Sequence, residues 1–169
     1  MSLIFYFSAL LSGATAAATA IHPTTLPAGF FHGPQTGIGS WYQANKASDH
    51  TNGKSWCGYS YANSDPLFAV SLKAMGGATY SKDPAGWRAA TRKYCGLEAK
   101  LTDPSTGKST LVYIGDAFDD RFVRTPASID IMLNSFIAVH GDPKGNKNIV
   151  IKDAHWEFTG NVNTKYMAP

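Results

Sequence analysis

From Thr36 onward, short apolar runs alternate with Gly-, Pro- and Asn-rich turns, a spacing that favours strands over long helices. The run "GIGSWYQA" (37–44) is aromatic and bounded by glycine, which predicts a strand. "PLFAVSLKAM" (66–75) opens with a β-rich piece and then drifts toward a helical turn. The clearest element is "GLEAKLTDPSTGKSTLVYIGD" (96–116), two alternating runs around Pro-Ser-Thr-Gly and hence a β-hairpin. In "ASIDIMLNSFIAVHG" (127–141) apolar residues at 129, 132, 133, 136 and 137 have helical spacing, with Gly141 as the stop. "NIVIKDAHWEFTG" (148–160) alternates Ile149 with Ile151 and Trp156 with Phe158, one or two closing strands. Short strands, one or two short helices and many turns describe a mainly β domain, a small barrel or an α+β sheet. No repeat of fixed period and no linker to a second domain is visible.

The N-terminus breaks this pattern. An apolar stretch from Leu3 to Leu11 is followed by small residues ending in Ala18-Thr19-Ala20, which predicts a signal peptide over 1–20 and a secreted, extracellular protein. The stretch is too short to span a bilayer; its alternative is a buried N-terminal helix. Residues 21–36 are rich in Pro, Gly and Thr and read as a flexible, extended arm ahead of a domain over 37–160 and a tail over 161–169. The formal net charge of +3 comes with no Lys/Arg cluster, so neither nucleic acid nor a membrane is an expected partner. In an oxidising compartment Cys57 and Cys95 form one disulfide. It closes a loop of about 38 residues and contributes about 3–4 kcal/mol in the chain-entropy view. The competing role, a catalytic thiol, needs a reduced state and a partner histidine.

Candidate chemistry is sparse. "DPSTGKST" lacks the earlier glycine of a phosphate loop and precedes a strand, so it is a hairpin turn. The histidines at 22, 32, 50, 140 and 155 show no ligand spacing, and neither a metal nor a cofactor is expected. No serine stands in a nucleophile-elbow pattern. Trp41, Tyr42, Trp56, Tyr59 and Tyr61 crowd one polar, turn-rich region. Singly each reads as core; together they predict one or two exposed faces able to stack on sugar rings. The acids worth weighing are Asp116, at the end of an apolar strand, the pair Asp119 and Asp120, and Asp130. Asp130 has two readings that stay open: a charge favoured by a helix N-terminus, worth about 0.3–1 kcal/mol, or a carboxylate held for chemistry.

In their order and spacing these segments resemble the single-domain expansin-like proteins of the fungal loosenin type, from about Gly37 to Phe158. "GSWY" resembles their opening strand, "WCGY" and "YCGL" their two bridged Cys-Gly sites, and "VYIGD" the strand ending in Asp. "DIMLNSF" is similar to their Asp-to-Phe motif and "HWEF" to their closing strand. The resemblance implies a six-stranded double-psi β-barrel, related to those of rare lipoprotein A, barwin and family 45 endoglucanases. It implies groove acids at Asp130 and Asp116, a groove aromatic at Phe118 and a hydroxyl beside the first acid at Ser40. The chain departs from the family in "DAFDDRFVRT", which lacks the Cys-Pro-x-Cys continuation, and the second polysaccharide-binding domain of expansins is not expected here. The implied activity is binding of a cell-wall polysaccharide (cellulose, chitin or peptidoglycan) by a monomer and its loosening without hydrolysis. Trp41, Tyr42 and Tyr59 would stack on the sugar rings. The alternatives are a glycan-cleaving enzyme of endoglucanase or transglycosylase type, which needs a base opposite Asp130, and a protein-binding effector or protease inhibitor.

Overall fold

Alternating strands leave a sheet with two edges, and this chain removes both by closing the sheet on itself. The computed structural model describes residues 20–169, so the expected signal peptide lies outside the described residues but for its last one. The strands are β1 (Ile21–Pro23), β2 (Gln35–Tyr42), β3 (Leu67–Ser71), β4 (Leu97–Asp103), β5 (Lys108–Phe118), β6 (Ile129–Met132) and β7 (Ile151–Asn163). Helix α1 (Pro84–Tyr94) precedes β4, and α2 (Leu133–Val139) follows β6. The order β7-β2-β6-β3-β5-β4 is closed by β4 pairing with β7, and β1 pairs with β7 outside the ring. The β2–β6 and β3–β5 pairs are parallel and the others antiparallel. This is the expected mainly β class, a closed six-stranded mixed barrel with two helices.

Period-two alternation fills the barrel. Along β7, Ile151, Ala154, Trp156 and Phe158 point inward while Lys152, Asp153, His155 and Glu157 face out. They meet Phe68 and Val70 of β3, Leu101 of β4, Ile114 of β5, and Ile129 and Ile131 of β6. Trp156 satisfies its buried indole N–H on the Ala127 carbonyl at 2.9 Å. Gly37 in β2 is required by close approach: a Cβ there would be driven into the Ala127 carbonyl group. The hairpin is as read from the sequence, β4 and β5 pairing from Glu98↔Tyr113 to Asp103↔Lys108. Cys57 and Cys95 are bonded, with Cα atoms 5.9 Å apart, tying the loop before β3 to the end of α1.

Three expectations are revised. The segment 21–36, read as a flexible arm, lies against the barrel: Phe30 is 6 % exposed and packs on Tyr94 and Phe158 at 4.6 and 5.4 Å, covering apolar surface at one end. The expected count of one or two short helices holds, but the position of α1 was not read, because its buried face is only Ala90, Thr91 and Tyr94. The signal that could have found it is capping: Asp83 accepts from the Gly86 N–H at 2.9 Å and Pro84 begins the first turn. Finally, the helical spacing read from 129 onward begins too early. Residues 129–132 are strand, and only from Leu133 does the chain turn helical, ending with the Gly141 N–H on the Ile137 carbonyl. Asp130 is therefore a strand residue, and the helix-dipole reading of its charge does not hold: the first turn of α2 carries no acid.

Candidate functional site

Strand register assembles the site. Ser40 of β2 is opposite Asp130 of β6, Asp130 is opposite Ala69 of β3, and Ala69 is opposite Asp116 of β5. Residues in register on neighbouring strands project to the same face, so four strands present Ser40, Asp130, Ala69 and Asp116 as one row. The two acids stand two strand spacings apart, about 10 Å between backbones. The small side chain of Ala69 lies between them as the floor. Tyr42, two residues beyond Ser40, and Phe118, two beyond Asp116, extend the same face.

This row is the floor of a groove with two lobes of about 380 and 510 Å³. Tyr42, Asp49, His50, Phe118, Phe122 and Asp130 border both lobes, so Asp130 stands at their junction. The walls are loops: one carries Asp49 and His50, one Arg121, Phe122 and Arg124, and one Lys147 and Val150.

Partners distinguish the carboxylates. Asp130 accepts one side-chain hydrogen bond, from the Ser40 hydroxyl at 2.7 Å. Burial disfavours its charged form and pushes it up to about 7, with Asp49 and Asp116 adding repulsion while Ser40 and the Lys147 ammonium oppose the shift. Asp116 is also raised by burial, but it is held more fully: the Trp56 and Ala117 N–H groups donate to Oδ1 and the Tyr61 hydroxyl to Oδ2, each at 2.9 Å. Asp49, whose side chain is 2 % exposed, accepts from the Gln43 N–H at 2.9 Å and from the Lys147 ammonium at 2.8 Å. Asp119 is bound side-on by the Arg121 guanidinium, which holds it below the usual carboxylate range.

Of the residues singled out in the sequence, Ser40, Tyr42, Phe118, Asp116 and Asp130 meet at the groove. Trp41 borders one lobe but is 3 % exposed, packed on Phe136, and the Lys147 ammonium lies 3.5 Å over its ring. Its face is not an open stacking surface. Tyr59 is away from the lobes, against Tyr166 at 6.3 Å. Tyr61, noted only as one of the aromatics, is the hydroxyl donor to Asp116. Asp49, His50, Phe122 and Lys147 come from turn-rich loops with no local pattern to mark them, and only folding brings them to the groove. Among the described residues no cluster of His, Cys, Asp or Glu is placed to hold a metal ion, and no helix is long and apolar enough to cross a membrane.

No protein-family profile matches the chain, and no curated protein does. Among solved structures, the chain is similar to a mutant Clavibacter michiganensis expansin in complex with cellohexaose. The TM-score is 0.46 at 16 % identity, over 75 % of this chain and 50 % of that one, so the chain spans about half the length of that protein.

Proposed function

We propose that this protein is a secreted, expansin-like binder of cell-wall polysaccharide that loosens its substrate without cutting it. The carrying observation is the row Ser40–Asp130–Ala69–Asp116, an acid poised near neutrality on the floor of an open groove. A glycan offers hydroxyls that both donate and accept, and a floor of a hydroxyl and two carboxyl groups is complementary to them. Inverting hydrolysis also needs a free base, with room for water between base and acid. The other groove carboxylates are occupied: Asp116 by three donors, Asp49 by Lys147 and Gln43, and Asp119 by Arg121. That occupation favours binding and displacement of chains over bond cleavage. The Cys57–Cys95 bond supports secretion, because disulfides persist in oxidising compartments.

One observation favours a second reading. A carboxyl pushed up to about 7 is suited to general acid catalysis, as a glycan-cleaving enzyme would require. One experiment separates the two: incubation of the protein with insoluble cellulose, chitin and peptidoglycan, scored for co-sedimentation and for new chain ends. Binding with weakened material and no new ends is the expected outcome. Accumulating reducing or anhydro ends establishes the enzyme, and no retention on any of the three overturns the glycan reading.

A further inference from the structure

Of the aromatics expected at the groove, Trp41 and Tyr42 are buried, Tyr59 lies away from the lobes and Phe118 is half-buried in the floor, yet one ring at the groove is more exposed than any of these. Phe122 is 46 % exposed and borders both lobes. A lone exposed apolar residue ordinarily means nothing; this one is distinguished by how its loop is fastened. At the base, the Asp120 carboxylate accepts from the Ser71 hydroxyl and from the Lys73 N–H at 2.8 Å, tying the loop to the end of β3. One residue earlier, Asp119 grips Arg121, and the Phe122 N–H donates to the Asp119 carbonyl at 2.9 Å. The Arg121 guanidinium lies 5.6 Å from the Phe122 ring centroid. Three consecutive residues thus spend their polar groups holding the loop in place, and the fourth presents its ring beside the groove. A preset ring loses little conformational entropy on binding, which is what an aromatic anchor requires.

We infer that Phe122 is the stacking platform of the groove, receiving the apolar face of a pyranose whose hydroxyls are bound by the Ser40–Asp130–Asp116 floor. The inference rests on the glycan reading and adds to it a selection rule. A ring with equatorial substituents presents an unbroken C–H face to an aromatic, whereas axial substituents hold the two apart. A flat β-1,4-linked chain therefore suits the groove, and an α-1,4-linked chain, axial at each linkage, does not. Arg121 near the platform is already paired with Asp119, so contact at this position does not call for an anionic sugar.

The test is affinity chromatography or calorimetry with soluble β-1,4-gluco- and chito-oligosaccharides and an α-1,4-glucan, using the wild type, Phe122→Ala, Phe122→Leu and Phe122→Trp. Because the side chain is exposed, thermal unfolding should be unchanged in all three variants. The alanine and leucine forms should each bind the β-linked oligomers about tenfold more weakly, the usual scale for losing an aromatic anchor, while tryptophan retains binding. Leucine is the decisive variant, since it keeps apolar surface and loses the flat face. If the wild type binds and the alanine and leucine forms bind equally well, the platform is overturned and the glycan reading stands. If leucine binds like the wild type, stacking is overturned in favour of simple apolar contact. If the wild type binds none of these glycans, the glycan reading falls and the platform with it.

Discussion

Two carboxylates on opposite sides of the barrel, Asp103 with no exposed surface and Asp130 half-buried on the groove floor, differ in how their charge is supported. Asp103, at the tip of β4, is fully buried and accepts from the Ser105 N–H at 2.8 Å, the Ser105 hydroxyl at 2.7 Å and His140 Nδ1 at 2.6 Å. Burial opposes its ionisation, yet these donors outweigh burial and its carboxyl lies below the usual value. Asp130 has a single hydrogen-bonding side chain, Ser40, and burial wins. Asp103 has donors enough to outweigh burial and Asp130 has only Ser40, which leaves Asp130 protonatable near neutral pH and able to donate to a ligand.

The comparison is broken most severely by exchanging each acid for its amide. Asp130→Asn should abolish glycan loosening while leaving the unfolding temperature equal or higher, because a group disfavoured as an anion loses little on becoming neutral. Loosening retained in full by this variant would remove Asp130 from the mechanism. Asp103→Asn should do the reverse, costing about 2 kcal/mol of stability, with glycan binding at wild-type strength. The amide keeps an oxygen for Ser105 but sets its NH2 against His140 and removes the charge that strengthened all three bonds. Chemical denaturation and pull-down on the same preparations read both.

Stability against pH sharpens the contrast. Asp130 is raised from an unfolded value of about 3.9 to about 7 in the native state. The native state therefore holds more protons across that window, and Asp130's contribution to stability falls as pH rises through it. Asp103 is lowered, so its contribution is present above about pH 3.9 and lost as pH falls through the native value. Melting temperatures taken from pH 3 to 8 should show both limbs. Asp130→Asn should shallow the decline toward neutral pH, leaving the part due to Asp116, which is raised as well, and keep the acid limb.

The smallest effect concerns Lys147, whose ammonium lowers Asp130 without a hydrogen bond to it. In Lys147→Met the midpoint of Asp130 ionisation, followed by carboxyl NMR, should move upward, and the pH dependence of loosening should move with it. An unmoved midpoint would limit Lys147 to its bonds with Asp49 and the Trp41 carbonyl.

Much of this was legible in the chain. The β4–β5 hairpin follows from two alternating runs and a Pro-Ser-Thr-Gly turn; β2 and β3 follow from short aromatic and β-branched runs. Where two periodicities overlap the reading slipped. Ile129, Met132, Leu133 and Phe136 fit a helix, yet Ile129–Met132 pairs with β2 and β3, because burial between two strands outweighs local helical spacing. The loops were opaque for a different reason. Asp49 and Lys147 are joined across 98 positions and Ser40 and Asp130 across 90, so no window of sequence contains either pair.

By itself, then, the sequence determined the strand-rich class, the hairpin and the pair of cysteines, since alternation and turn chemistry are local properties, whereas groove acids at Asp130 and Asp116 were an implication of the resemblance. The tertiary structure decided which acid keeps its charge, which aromatic faces the groove and which loops wall it. Those outcomes depend on strand register and on donors arriving from distant segments. Register is set when the barrel closes, and burial without enough donors, a condition that exists only in the folded chain, is what moves Asp130 toward neutrality.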